Sequence, residues 1–373
     1  MNSPGLTWNK LMECWTVSDP AMARLILNHP GFSSQTAARS HELYMTDMAR
    51  EQYAELTEFL SLWFVHTDGP QHLKLRRPVQ RLLSPSYVRS LGPQIEDYVD
   101  AALDELATQH PADFIPTVAN QVPVQVISDV VGIEADPALV RRWSTDLSRF
   151  IAAMYRPDYA KAADITRREM SEWLATSSRV RSFPWETPEQ RARSTATWAT
   201  ILFGGLETTF SLLGSVVLTA LSSATTWASL QDEKSNAVTE LVESVLESRP
   251  PLRNVGRIVA GDQEFAGEKM LAGDLVLIAL SDSELFSQSA GGPAGSRCPV
   301  AEPSDERHLA FGAGSHYCPG ASLARLEAAT VLRRLAWRFP AARLSEHTAA
   351  WGANPAYISL EHLHIELGTE RRS

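Results

Sequence analysis

The decapeptide FGAGSHYCPG, residues 311–320, sets one cysteine, Cys318, among three glycines, a histidine and a proline. Glycines at 312, 314 and 320 let backbone turn sharply and pass close to a flat ligand. His316, two residues before the thiol, is a hydrogen-bond donor to an anion. Cys318 is followed by Pro319 and by ASLARLEAATVLRRLAWRF, a strong helical pattern. This order predicts an N-cap arrangement with Pro319 in the first helical position, where the positive end of a helix favours a thiolate. From the cysteine alone, three readings compete. One is an inert small hydrophobe, the default for an isolated thiol. Another is a nucleophile with His316 as its base. The third is a zinc ligand, which would want further Cys or His at short spacing. None accounts for Phe311 and the spaced glycines.

A second place for chemistry is GGLETT, residues 204–209. From 194 to 231 the only charged residue is Glu207. A lone carboxylate in such an apolar run is costly unless it is paired or used. Gly204 and Gly205 open space beside it, and Thr208 adds a hydroxyl. The competing reading is structural: Glu207 ion-paired with a distant arginine, and Thr208 bonded back to its own helix. Upstream, DGPQHLKLRR (68–77) puts His72 and Arg76 four residues apart, on one helix face.

The elements that must carry these residues are mostly helical. SDPAMARLILNHPGF, SYVRSLGPQIEDYVDAALDELATQ, DPALVRRWSTDLSRFIAAMY, DYAKAADITRREMSEWLAT and KSNAVTELVESVLESRPP all read as helices with Ser/Asp, Pro or Gly punctuation. The run around Glu207 reads as one long core helix, apolar all round, rather than as a membrane span. GRIVAGDQEFAGEKMLAGDLVLIAL shifts to short β-rich runs, hence a small sheet. Residues 281–307 form a Ser/Gly/Pro-rich meander. The expected fold class is mainly α with a small β region, in a single domain over 1–373. Within it, 15–250 is helix-rich, 252–307 holds the sheet and meander, and 308–338 holds the cysteine loop and its helix. The net charge of -10 argues against nucleic-acid binding. Three scattered cysteines, Cys14, Cys298 and Cys318, make no disulfide framework and fit a reduced, cytoplasmic setting.

Phe311, Gly312, Gly314, His316, Cys318 and Gly320 resemble the haem-thiolate signature of the cytochrome P450 family, Phe-Gly-x-Gly-x-His-x-Cys-x-Gly, with every fixed position filled. The resemblance implies a P450-like fold, haem b as cofactor and Cys318 as the axial ligand of its iron. A thiolate ligand pushes electron density toward iron and favours O–O cleavage. GGLETT resembles the family's Ala/Gly-Gly-x-Asp/Glu-Thr-Thr. This implies that Gly205 lies against the haem, that Thr208 steadies bound oxygen and that Glu207 relays protons. His72 and Arg76, with Arg257 in NVGRIV and His308 in RHLAFG, match the family's haem propionate partners. Substrate-facing positions of the family correspond to Trp63, Phe64, Leu202, Phe203, Gly204, Leu252 and Val255. The resemblance runs from about residue 15 to the end.

The sequence departs from the family in four places. Ser244 and Glu247 stand where a Glu-x-x-Arg ion pair is usual, and Glu240, Glu243 and Arg249 do not restore the spacing. SDSELF replaces Asn-Arg-Asp-Pro in the meander. Pro319 replaces an aliphatic residue and removes an amide N–H beside the sulfur. The segment ahead of Trp15 is short. The implied function is that of a bacterial monooxygenase using O2 and two electrons, delivered through a ferredoxin and its reductase. It would hydroxylate or oxidatively couple a small organic substrate, including a carrier-bound or peptidic natural-product intermediate. Lys74, Arg77, Arg325, Arg333 and Arg334 offer a basic face to an acidic partner. No membrane attachment is expected. The alternatives are a haem-binding relative without oxygenase activity, or an enzyme that uses peroxide or catalyses a rearrangement.

Overall fold

The helix that carries Glu207 runs over Pro188–Leu221 and is the axis of the molecule. This computed structural model describes residues 5–134, 136–177, 180, 187–232, 234–280 and 308–371, with the side chains of 346–348 left aside. Cys298 and SDSELF therefore lie outside the described residues. Thr187 starts the long helix with a capping box: its hydroxyl accepts from the Gln190 amide at 3.2 Å, and the Gln190 side chain accepts from the Thr187 amide at 3.3 Å. At 34 residues the helix is about 51 Å long. Several of its hydroxyls bond back to the helix, as with Thr200 to the Ala196 carbonyl at 2.7 Å, while the Ser194 hydroxyl is buried without a partner. The helix is long and apolar enough to cross a membrane by composition, yet 72% of its most apolar window is buried inside the fold. It is a core helix.

Other helices pack around it. Gly69–Leu82 carries His72 and Arg76, and Gln121–Val131 lies so close that a Cβ on Gly205 would sit 2.7 Å from Ile127 Cδ1. Pro137–Ala152, capped by Asp136, faces Glu207, while Ala237–Ser248 and Ala321–Arg338 pack together near the cysteine loop.

The strands are β1 (Leu6–Asn9), β2 (Cys14–Val17), β3 (Phe32–Ser33), β4 (Ala112–Asp113), β5 (Asn254–Val259), β6 (Gln263–Phe265), β7 (Glu268–Met270), β8 (Leu275–Ala279), β9 (Arg343–Trp351) and β10 (Leu360–Glu366). The principal sheet has the order β1-β2-β8-β5-β3. The strands expected from 256 to 280 are present. The N-terminal strands were not anticipated: they are short, and β2 is held by parallel pairing to β8, Cys14 opposite Leu275. Register in β5 sets Arg257 opposite Val276 and turns its side chain inward. A second sheet, β4-β10-β9, packs on the long helix. Two apolar clusters fill the interior, and Leu252 packs against both.

Candidate functional site

The cysteine loop is a tight reversal. The Cys318 amide donates to the Phe311 carbonyl at 2.9 Å, Tyr317 to Gly314 at 3.1 Å, and Gly312 to Leu309 at 2.7 Å. Gly312 and Gly314 have φ of +68° and +69°, which side-chain-bearing residues rarely adopt. Gly314 also seats the loop on the helix Pro20–Asn28, since a Cβ there would meet Asn28 Oδ1 at 2.5 Å. The helix after the cysteine begins two residues later than the sequence suggested. Its N-cap is Gly320 and its first residue Ala321, so Pro319 lies outside the helix. The first full helical bond runs from the Ala324 amide to the Gly320 carbonyl at 3.0 Å, whereas the Cys318 carbonyl accepts only a turn bond from Ala321 at 3.5 Å. The amides of Gly320 and Ala321 still favour the thiolate, as do Arg76 and Arg325. Burial is the larger influence and pushes the Cys318 thiol up. Cys318 sits deep among protein atoms yet is partly accessible.

Beside it lies a cluster of buried nitrogen donors. His72, Arg76 and Arg257 are 1%, 6% and 7% exposed. The His72 and His316 rings stack with centroids 3.9 Å apart. His72 Nε2 is buried without a partner. The Arg76 guanidinium donates to the Tyr317 carbonyl, and Arg257 Nη1 to the Gly256 carbonyl at 2.8 Å. Among the described residues neither arginine is within ion-pair distance of a carboxylate. The one acid nearby is Asp68, whose Oδ1 is 3.6 Å from His316 Nε2 while Ser33 and Ser34 also bond it. Burial lowers the pKa of His72, Arg76 and Arg257, and takes His316 down to about 3, with His72 and Arg257 adding to the effect. Buried cations and an orphaned ring nitrogen next to a thiol fit a planar ligand bearing two carboxylates. Haem is such a ligand, and these residues suit its propionates.

His308 is placed differently. Its Nε2 is 3.2 Å from Glu243 Oε2, and its Nδ1 accepts from the Ala310 amide at 3.2 Å. Phe311 is half-buried, with the Arg325 guanidinium 4.5 Å above its ring.

On the long helix, Gly204 faces open space, with nothing within 4 Å of where a Cβ would be. Gly205 instead makes the close approach to Ile127. Thr208 donates to the Gly204 carbonyl at 2.7 Å. Ser144 donates to Glu207 Oε1 at 2.8 Å. Burial raises the Glu207 pKa, opposed by Ser144, Arg141, Arg149 and Ser148. Both side chains thus make the contacts of the structural reading, except that Glu207 is held by serine rather than by an ion pair.

Of the substrate-facing candidates, Trp63 and Phe203 pack at 5.2 Å, and Phe64 stacks on His72 at 6.4 Å. The Trp63 indole N–H is buried with no acceptor. Leu252 and Val255 are half-buried at the sheet, whereas Leu202 is fully packed. Of the basic candidates, Arg325 is ion-paired with Glu243 and Arg334 with Asp100. Lys74, Arg77 and Arg333 are exposed.

No family model matches the sequence. Individual proteins do. Nocardicin C N-oxygenase of Nocardia uniformis subsp. tsuyamanensis is 28% identical over 365 aligned positions, covering 89% of this chain and 84% of that protein. Cytochrome P450 monooxygenase PikC of Streptomyces venezuelae is 29% identical over 379, covering 95% and 85%. Among solved structures, P450BioI bound to an acyl carrier protein ligated with hexadec-9Z-enoic acid superposes with a TM-score of 0.82 at 20% identity, covering 98% of this chain and 95% of that one. Epothilone D-bound P450epoK gives 0.81 at 21%, covering 98% and 93%.

Proposed function

This chain belongs to the cytochrome P450 family, and from that premise we propose that it is a monooxygenase of bacterial secondary metabolism, fed by a ferredoxin and acting on a bulky apolar substrate. Its class is that of the haem b oxidoreductases. The observation that carries the proposal is the pairing of the Cys318 loop with a buried cluster of donors that has, among the described residues, only Asp68 to answer it. Cys318 would hold the iron, and His72, Arg76 and Arg257 would hold the propionates. Bound there, haem supplies activation of O2 for insertion into a substrate bond.

The protein's own residues contribute the rest. Gly204 leaves open space beside the long helix. Thr208 donates its hydroxyl proton to the Gly204 carbonyl in the resting arrangement, which leaves its oxygen free to accept. Glu207, with its raised pKa, is an acid able to carry a proton between Ser144 and the cavity. Trp63, Phe64 and Phe203 supply an aromatic wall, and the unmatched Trp63 N–H favours a substrate with an acceptor oxygen or nitrogen. The acyl-carrier-protein complex of P450BioI supports a carrier-bound substrate as one form. For electron delivery, exposed Leu73, Lys74 and Arg77 lie on the helix that Arg76 ties to the carbonyl of exposed Tyr317. An apolar patch rimmed by cations suits an acidic partner.

The test is the reduced, carbon-monoxide-treated absorption spectrum. The red-shifted Soret band of thiolate-ligated haem is expected, and Cys318→Ala abolishes it. A second reading, a haem protein without oxygenase activity, is favoured by the closed hydrogen bonds of Thr208 and Glu207. It prevails if ferredoxin-driven turnover consumes electrons without product and peroxide gives none either.

A further inference from the structure

In the proposed enzyme something must hold the cysteine loop against the body of the protein, and the residues usual for that purpose are missing. Ser244 is a small, buried side chain on Ala237–Ser248, and Glu247 has the opposite charge to the arginine it replaces. One position earlier, Glu243 does reach the loop. Its two oxygens take a bidentate pair from Arg325, Oε1 from Nε at 2.5 Å and Oε2 from Nη2 at 2.9 Å. The same Oε2 meets His308 Nε2.

The geometry of His308 fixes its protonation. Nδ1 accepts the Ala310 amide, so that nitrogen carries no hydrogen. The ring proton is therefore on Nε2 and is donated to Glu243. Both ring nitrogens are engaged, and none remains for a haem carboxylate. Arg325, seven residues past Cys318, lies over the Phe311 ring and adds favourable charge for the thiolate. One carboxylate thus grips the residue that opens the loop, His308, and the helix that leaves it.

We propose that Glu243, through Arg325 and His308, is the positioning residue that anchors the haem-thiolate loop in place of the Glu-x-x-Arg pair, and that His308 is a strut of this anchor rather than a propionate partner. The inference rests on the haem-thiolate reading for its meaning, though not for all of its test. Breaking a partly buried, bidentate pair by removing one member strands the other charge. Removing both strands no charge and leaves only the His308 N–H without its acceptor.

The experiment uses the purified haem-loaded protein and the variants Glu243→Ala, Arg325→Ala, the double variant, His308→Gln and Arg257→Gln. The readouts are haem affinity and the share of reduced, CO-bound haem that shows the thiolate band. Glu243→Ala and Arg325→Ala are each expected to lower the thiolate share about tenfold, with the double variant no worse than the poorer single. His308→Gln keeps a donor toward Glu243 and retains haem, whereas Arg257→Gln sheds it. Unchanged thiolate share in Glu243→Ala, or loss of haem affinity in His308→Gln equal to that in Arg257→Gln, overturns the proposal. Urea unfolding of the haem-free single and double variants gives the Glu243–Arg325 coupling without haem. If wild type lacks the thiolate band, the enzyme reading fails and this cycle alone decides the anchor: additive losses sink it, non-additive losses sustain it.

Discussion

Two charged clusters flank Cys318, and they are built on opposite plans. On one side Glu243, Arg325 and His308 saturate one another. On the other, His72, Arg76, Arg257 and His316 crowd together with only Asp68 to answer them. A saturated cluster has spent its charge on protein and acts as structure. An unsaturated one pays desolvation for contacts that a ligand must complete. The difference separates socket from scaffold using the polypeptide alone.

The comparison breaks most visibly through Arg257. Arg257→Gln is expected to weaken haem binding about a hundredfold by titration. The haem-free protein should melt no lower than wild type, because the lost cation had no acidic partner. Equal destabilisation of both forms would make the cluster scaffold after all.

The saturated side sharpens through acid. Arg325, then His308, holds the Glu243 carboxyl down at about 2, below its ordinary 4.5. A depressed acid pKa contributes stability that is present above about 4.5 and is lost as pH falls through about 2. The stability gap between wild type and Glu243→Gln, followed by urea unfolding, should close across that window and hold steady above it. A gap independent of pH would mean that the pair is not ionic in character.

Glu327 is the smallest case. It is buried on the helix Ala321–Arg338 with Oε2 unpartnered, as Arg257 is without an acid, but it can shed its charge by taking a proton. Burial raises it to about 8. Its contribution is full below about 4.5 and is lost as pH rises through about 8. Glu327→Gln should flatten the fall in melting temperature between about pH 4.5 and 8 by a few degrees. An unchanged fall across that window would show that another group controls it.

Much of this was readable in the sequence, and the misses share a cause. The long helix was legible because its apolar run has no face to spare for water. The Cys318 loop was legible because Gly312 and Gly314 stand where φ is positive. The two-residue delay of the following helix was not, since Pro319 suits a first helical position but cannot reveal that the Cys318 carbonyl closes a turn on Ala321 while Gly320 accepts the first helical bond. Glu243 read as a leftover of a lost motif. Its partner Arg325 is 82 residues away on another helix, and no local pattern links them. His308 was matched by order along the chain, which cannot show that both its nitrogens are occupied. Strands β1 and β2 are four residues each, too short for alternation to declare itself.

The parallel pairing of β2 with β8 bears on how this chain is made. Cys14 emerges from the ribosome early and Leu275 late, so the first segment waits on the order of tens of seconds for its neighbour. Over that time the CWTV segment has an open edge and a buried-type surface, apt to pair with the wrong chain. Interior placement of β2 thus makes the synthesis of β8 the moment at which the principal sheet closes.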